Sequence, residues 1–73
     1  MARIAVKSEI TGKVWKIETA PGQQVADGDT LLILESMKME IPVLATHAGT
    51  VSEILVQEEE AVAEGQELVL LDR

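Results

Sequence analysis

The residues best suited to chemistry lie near the middle of the chain, in the stretch Glu35-Ser36-Met37-Lys38-Met39-Glu40. Its lysine amine is a candidate acceptor for a covalently attached group, and we interpret Lys38 as a site of modification. The stretch interrupts an otherwise almost wholly apolar run from Leu31 to Leu44. An uninterrupted strand of that length would exceed the usual span of about three to ten residues. We therefore predict that the run folds back on itself, with a turn around Met37-Lys38.

Other chemistries find little support in the sequence. Lys38 is not expected to be a catalytic nucleophile, because lysines of that kind are activated by burial or by a second cation. His47 is the only histidine and cysteine is absent, so no metal site is predicted. Ser36, His47 and Asp72 supply the residue types of a catalytic triad, but no nucleophile-elbow pattern surrounds the serine. We interpret His47 as a surface-loop residue and Trp15 as packing or an edge cover.

An internal repeat indicates which elements must position Lys38. When the chain is laid over itself with a shift of 37 residues, identical or similar residues coincide without a gap; the matches include Gly12 with Gly49, Val14 with Val51, Ile17 with Ile54, Val25 with Val62, Gly28 with Gly65 and Leu34 with Leu71. Two copies of one supersecondary unit explain this pattern. Lys38 then falls at the junction between the copies. A pseudo-twofold axis would place the Lys38 turn and the two termini at opposite ends of the molecule.

Length and composition set the limits of the fold. The 73 residues predict a single domain over 1–73, with a core of aliphatic side chains because the chain has one Trp and no Phe or Tyr. The net charge of −7 and the scattered basic residues argue against a nucleic-acid partner. No apolar stretch approaches a membrane span or a secretory signal, so no membrane partner is expected and we predict a cytoplasmic protein.

The local patterns predict eight short strands separated by turns. In the second strand the apolar positions Val14 and Ile17 are three residues apart, and the copy repeats this spacing, which predicts a bulge in both halves. Pro42 cannot donate to a strand ladder, so its strand is expected at an edge or a bulge. The propensity of 57–64 favours a short helix, whereas the repeat predicts a turn and a strand; we follow the repeat. Such strands must wrap into two packed sheets or a flattened barrel.

The segment Gly28-Asp29-Thr30-Leu31, followed by Glu35 to Glu40 and by Ile41-Pro42-Val43, resembles the biotinyl domain family and its small stand-alone biotin/lipoyl attachment proteins. The similarity runs from about Ile4 to Leu71. The resemblance implies an all-β barrel-sandwich hybrid of two four-stranded antiparallel sheets. It also implies that biotin is amide-linked to Lys38 by a biotin protein ligase.

The same resemblance implies the function of a carrier, not of an enzyme in its own right. In the family, the swinging biotin arm shuttles a carboxyl group from a biotin carboxylase to a carboxyltransferase, in carboxylases that act for example on acyl-CoA. Met37 and Met39 would flank the lysine as recognition residues, and Glu35, Ser36 and Glu40 are candidates for ligase recognition. For the two glutamates, solvated strand ends are an equally good interpretation.

Several departures and alternatives remain. Ser36 stands where the family commonly has alanine, and Glu59 replaces a frequent glycine. No space between Gly12 and Asp27 is left for the extra thumb loop of some bacterial acetyl-CoA carboxylase carriers.

The first alternative to a biotin carrier is a lipoyl carrier, although such domains usually place Asp before and Ala after the lysine. The second is an unmodified interaction module of the same fold.

Overall fold

The chain forms eight β-strands. The structure is a computed structural model that describes residues 2–73. The strands are β1 (Arg3–Lys7), β2 (Gly12–Ile17), β3 (Gln24–Val25), β4 (Thr30–Ser36), β5 (Met39–Leu44), β6 (Gly49–Ile54), β7 (Ala61–Val62) and β8 (Glu67–Asp72). None of the described residues is helical. The predicted number of strands and the all-β class are therefore confirmed.

The strands form two antiparallel four-stranded sheets. One has the order β1-β8-β6-β3 and the other has the order β5-β4-β2-β7. Adding 37 to the residue numbers of a strand in the first copy gives its equivalent in the second copy. By this rule β5 is the copy of β1, β6 of β2, β7 of β3 and β8 of β4. Replacing every strand of one sheet by its equivalent in the other copy therefore gives the strand order of the other sheet. This exchange is the pseudo-twofold relation that the sequence repeat predicts, and each sheet contains strands from both halves of the chain.

The predicted bulges occur at equivalent places in both sheets. The register of β2 on β4 shifts between Val14 and Lys16, and the register of β6 on β8 shifts between Val51 and Glu53. Each shift lets a strand turn two apolar side chains spaced by three residues toward the same interior. The three-residue spacing of apolar residues in the sequence is therefore explained by a bulge in each strand pair.

The core lies between the two sheets and is built from aliphatic side chains. The largest fully buried side chains are Leu31, Leu32, Leu34, Leu68, Leu71, Val14, Val51 and Val69. Full burial of a Val or Leu side chain contributes about 1.5–3 kcal/mol relative to exposure. These residues come in equal numbers from the two copies, so both halves are needed to close one interior.

The segment that favours a helix by propensity is a turn followed by a short strand. Glu59 adopts a left-handed conformation with φ 75°, and β7 pairs with the beginning of β2. Backbone hydrogen bonds join Glu59 N to Val14 O and Val14 N to Glu60 O, each at 2.8 Å. Pairing with β2 therefore overrides the local helix propensity, as the repeat predicts.

The Lys38 turn and the chain termini lie at opposite ends of the molecule. The base of the β4–β5 hairpin, where Thr30 pairs with Leu44, leads within a few residues to Gly49, which packs on the backbone of Asp72. Next to Asp72, Arg73 N donates to Ala2 O at 2.9 Å. From this base β4 runs six residues toward the turn, about 20 Å at the rise of an antiparallel strand. The molecule measures 36 × 18 × 17 Å, so this length exceeds half of its longest dimension.

Candidate lysine-modification site

A two-residue hairpin turn presents Lys38. Ser36 and Met39 form the last pair between β4 and β5, and Met37 and Lys38 connect them. Both connecting residues have left-handed backbones, with φ 52° at Met37 and φ 65° at Lys38. This is the geometry of a type I′ turn, whose twist matches that of antiparallel strands. The predicted turn position is therefore confirmed.

The amino acids in this turn are unusual for its geometry. Type I′ turns favour Asn-Gly, Asp-Gly or Gly-Gly, since both central residues need positive φ. Met37 and Lys38 have neither the freedom of glycine nor the short polar side chain of Asn or Asp. A left-handed conformation costs such residues roughly 1–2 kcal/mol each. Backbone strain of this kind concentrates at functional sites, where the rest of the structure holds it in place.

Two contacts, one with the β1–β2 loop and one with the first residue of β2, support the end of the hairpin next to the turn. Ser36 Oγ donates to Thr11 O at 3.1 Å. A Cβ added at Gly12 would lie 2.6 Å from Glu35 O, so only glycine permits this close approach of β2 to β4. Neither Thr11 nor Gly12 was predicted as a site residue. The coincidence of Gly12 with Gly49 in the repeat was the available signal, because Gly49 makes the same close approach to Asp72.

The side chains of the turn are exposed to solvent. Met37 is 89% exposed and Met39 is 59% exposed, so neither fills the core. Lys38 is also exposed, and within residues 2–73 it takes part in no ion pair closer than 4 Å. An amine in this position is free to enter the active site of another protein. The expected covalent group therefore fits here, because its attachment displaces no contact of the folded chain.

Below the turn, charged residues form a row across the outer surface of the sheet. Glu40 on β5 pairs with Glu35 on β4, which pairs with Lys13 on β2. Like charges directly opposite each other on neighbouring strands are destabilising. Lys13 Nζ lies 3.0 Å from Glu59 Oε2. This hydrogen bond and the charge of Glu59 raise the pKa of Lys13 above its ordinary value, with a smaller contribution from Glu35.

The remaining candidates lie elsewhere. Half-buried His47 follows β5, and its Nδ1 lies 3.0 Å from Thr46 Oγ1. Asp72 lies at the end with the termini, where Arg3 Nε is 3.3 Å from its Oδ1. Ser36, His47 and Asp72 are therefore not brought together. Among residues 2–73, no group of three or more side chains is arranged to hold a metal ion.

Trp15, interpreted from the sequence as packing or an edge cover, does not pack in the core. It is 40% exposed and lies outside the core cluster, in the β2 bulge between Val14 and Lys16. Its strand lies between β4 and β7, but β7 pairs only with Gly12 and Lys13 and does not extend to Trp15. Pro42 lies on β5 at the edge of its sheet, as predicted.

In the described part of the chain, no helix has the length and apolarity to cross a membrane.

The two sheets related by a repeat and the lysine hairpin at one end define a biotin/lipoyl attachment domain. The family model described as "Biotin-requiring enzyme" matches residues 4–71, and the chain belongs to this family. The resemblance in the sequence is thus confirmed.

Individual relatives agree with this assignment. The chain is 40% identical to the biotin/lipoyl attachment protein of Bacillus subtilis over 93% of each chain. It is 41% identical to the biotinylated protein TB7.3 homolog of Mycobacterium leprae, over 90% of this chain and 93% of the relative. Among solved structures, the urea carboxylase of Kluyveromyces lactis matches with a TM-score of 0.93 and 35% identity. That match covers 99% of this chain but only 6% of the carboxylase.

Proposed function

We propose that the protein is a biotin carboxyl carrier and that biotin is attached through an amide to Nζ of Lys38. The observation that carries the proposal is the exposed lysine at the tip of a hairpin whose two turn residues both have positive φ. A strained turn that contributes no core contact is explained if it serves a partner enzyme. Membership of the biotin-requiring family supports biotin as the attached group.

The attachment needs an external enzyme, because the surroundings of Lys38 offer no activating group. Burial or a second cation would activate its amine, and the turn provides neither. A biotin protein ligase supplies the activation by presenting biotinyl-adenylate. The lysine nitrogen attacks the acyl carbon, the amide bond forms, AMP leaves with the electrons of the broken bond, and the amine releases a proton. The chain contributes the nucleophile and the fixed hairpin.

In this proposal the protein is a carrier and the catalytic steps belong to its partners. When attached, biotin supplies a ureido ring that accepts a carboxyl group at a biotin carboxylase and gives it to a substrate at a carboxyltransferase. The chain holds this arm at the end remote from its termini, so that neither terminus obstructs the approach of either enzyme. The similarity to a domain of urea carboxylase supports partners of this kind.

The mass of the intact protein tests the proposal. The wild type, expressed with a biotin protein ligase, should gain one biotinyl group, and Lys38→Arg should gain none while folding as the wild type. Lys16→Arg is the matched control, because it changes an exposed lysine of the same sheet away from the turn. Biotin on Lys38→Arg, or an unmodified wild type, would disprove the assignment. A large loss of stability in Lys38→Arg would indicate a structural lysine instead.

Lipoate is the second candidate for the attached group. The similarity to a protein named biotin/lipoyl attachment protein favours testing it. Parallel expression with a lipoate ligase and with a biotin protein ligase would distinguish the two groups by mass. A lipoyl adduct in place of a biotinyl adduct would assign the protein as a lipoyl carrier. No adduct with either competent ligase would favour an unmodified interaction module.

A further inference from the structure

Exposed apolar side chains are concentrated in the sheet that carries Lys38. Among residues 2–73 five large apolar side chains are exposed: Trp15, Met37, Met39, Leu44 and Leu55. Four of the five belong to β2, β5 or the turn between β4 and β5, and only Leu55 lies outside this sheet. Exposed apolar side chains grouped on one part of a small protein mark an interaction surface.

Part of this group forms a patch on the outer surface of the sheet. Ile33 pairs with Pro42 on one side and with Lys16 on the other. Leu32 and Leu34, its neighbours on β4, are fully buried, so Ile33 and its partners face outward. The β2 bulge places the exposed Trp15 beside this row, and Leu44 follows Pro42 by two residues on the same side of β5. We call Trp15, Ile33, Pro42 and Leu44 the outer patch.

The other half of the molecule is an internal control for the outer patch. Its pseudo-equivalent residues are Ser52 for Trp15, Ala5 for Pro42, Lys7 for Leu44 and Leu70 for Ile33. That half has the same strand pairing and the same bulge. The fold is therefore satisfied by a serine, an alanine and a lysine at these positions. The indole, the proline and the leucine are not requirements of the architecture, and they occur only in the sheet with the lysine.

The outer patch lies near the turn, separated from it by one row of residues. Ile33 precedes Ser36 by three residues, about 10 Å along the strand. The row formed by Glu40, Glu35 and Lys13 lies between them. Lys13 is already paired with Glu59, whereas Glu35 and Glu40 face each other as two carboxylates. A partner that supplied one cationic side chain here would relieve their repulsion.

We propose that the outer patch is the docking surface for the ligase that acylates Lys38, with Trp15 as its main apolar anchor. This inference rests on the function proposed above. An enzyme that reacts with Nζ itself must close over the sides of the hairpin, whereas an enzyme that reacts at the far end of an attached arm need not. The complementary surface of the ligase has an apolar pocket for the indole and a cationic side chain opposite Glu35 and Glu40.

Biotinylation kinetics test the proposal. Trp15→Ser and Leu44→Ser remove apolar area from the outer patch, and Leu55→Ser is the matched control for an exposed apolar residue outside the sheet. With ATP and biotin saturating, the KM of a biotin protein ligase for Trp15→Ser should rise about tenfold or more, the effect of truncating an interface anchor. The kcat should stay unchanged, because Lys38 and its turn are intact. Leu44→Ser should raise KM less, and Leu55→Ser should leave it unchanged.

Each alternative result has a definite meaning. Circular dichroism first shows that each variant is folded, and Leu44→Ser keeps the test open if Trp15→Ser is not. A KM within about twofold of the wild type in both variants would overturn the proposal, since interface anchors exceed that change. Normal ligation combined with slower carboxylation of the biotinylated variants would assign the outer patch to the carboxylase and also overturn it. A wild type that no ligase modifies would instead refute the proposed function.

Discussion

Met37→Gly should stabilise the protein, although Met37 belongs to the proposed recognition stretch. Its backbone has φ 52°, which costs a residue with a Cβ about 1–2 kcal/mol. Glycine removes that cost but gives the unfolded chain extra freedom worth about 0.4–1 kcal/mol. Because the side chain is 89% exposed, little burial is lost. The middle of each range gives a net gain of about 0.8 kcal/mol, or roughly 3–6 °C in Tm for a domain of this size.

Urea unfolding followed by circular dichroism measures this effect, with two variants as references. Met37→Gln keeps a long exposed side chain and should leave the stability near that of the wild type. Gly28→Ala calibrates the backbone cost in this protein, because Gly28 has φ 91° and an added Cβ would meet nothing within 4 Å. The same balance of backbone cost and unfolded-chain freedom applies, so it should destabilise by about 1 kcal/mol. If Gly28→Ala shows this cost while Met37→Gly gains nothing, the turn is not strained and the reasoning is refuted.

Three further perturbations test the supports of the hairpin. Gly12→Ala should destabilise by about 1–3 kcal/mol in urea unfolding, because the new Cβ would lie 2.6 Å from the backbone oxygen of Glu35. Ser36→Ala should cost only about 0.5–1.5 kcal/mol in the same experiment, the value of one hydrogen bond. Glu59 raises the pKa of Lys13 above 10.5, so their interaction stabilises the folded state below that pH. Its contribution is lost as the pH rises through the raised pKa. Glu59→Gln should therefore flatten the alkaline decline of stability, and an identical decline in both proteins would contradict this.

The repeat made most of the fold predictable. It indicated the bulge that lets Val14 and Ile17 face one interior, and it outweighed the helix propensity of 57–64. It did so because a gapless self-match carries information about pairing between distant segments, which local propensity does not contain. The turn at Met37-Lys38 was predictable for a simpler reason, since the apolar run that contains it is too long for one strand.

The backbone of the turn was less predictable than its position. Positive φ is usually indicated in a sequence by glycine, asparagine or aspartate. The residue types of Met37, Lys38 and Glu59 do not indicate it. The conformations follow from the twist and register of the strands that these residues connect. The extent to which Trp15 is exposed was also not predictable from the sequence. It depends on how the β2 bulge places Val14 and Trp15 on the two faces of the sheet. These features belong to tertiary structure and are not encoded residue by residue.

The hydrogen bond from Arg73 N to Ala2 O has a consequence for protein engineering. It occupies the place that, in the other half, is spanned by a hairpin of two residues. Replacing Met1 by a two-residue linker between Arg73 and Ala2 would join the ends into a closed ring, and a Met-Lys linker would recreate the missing turn. Opening that ring in a surface loop would yield a circular permutant with a lysine turn at each pole, of which only one lies beside the outer patch.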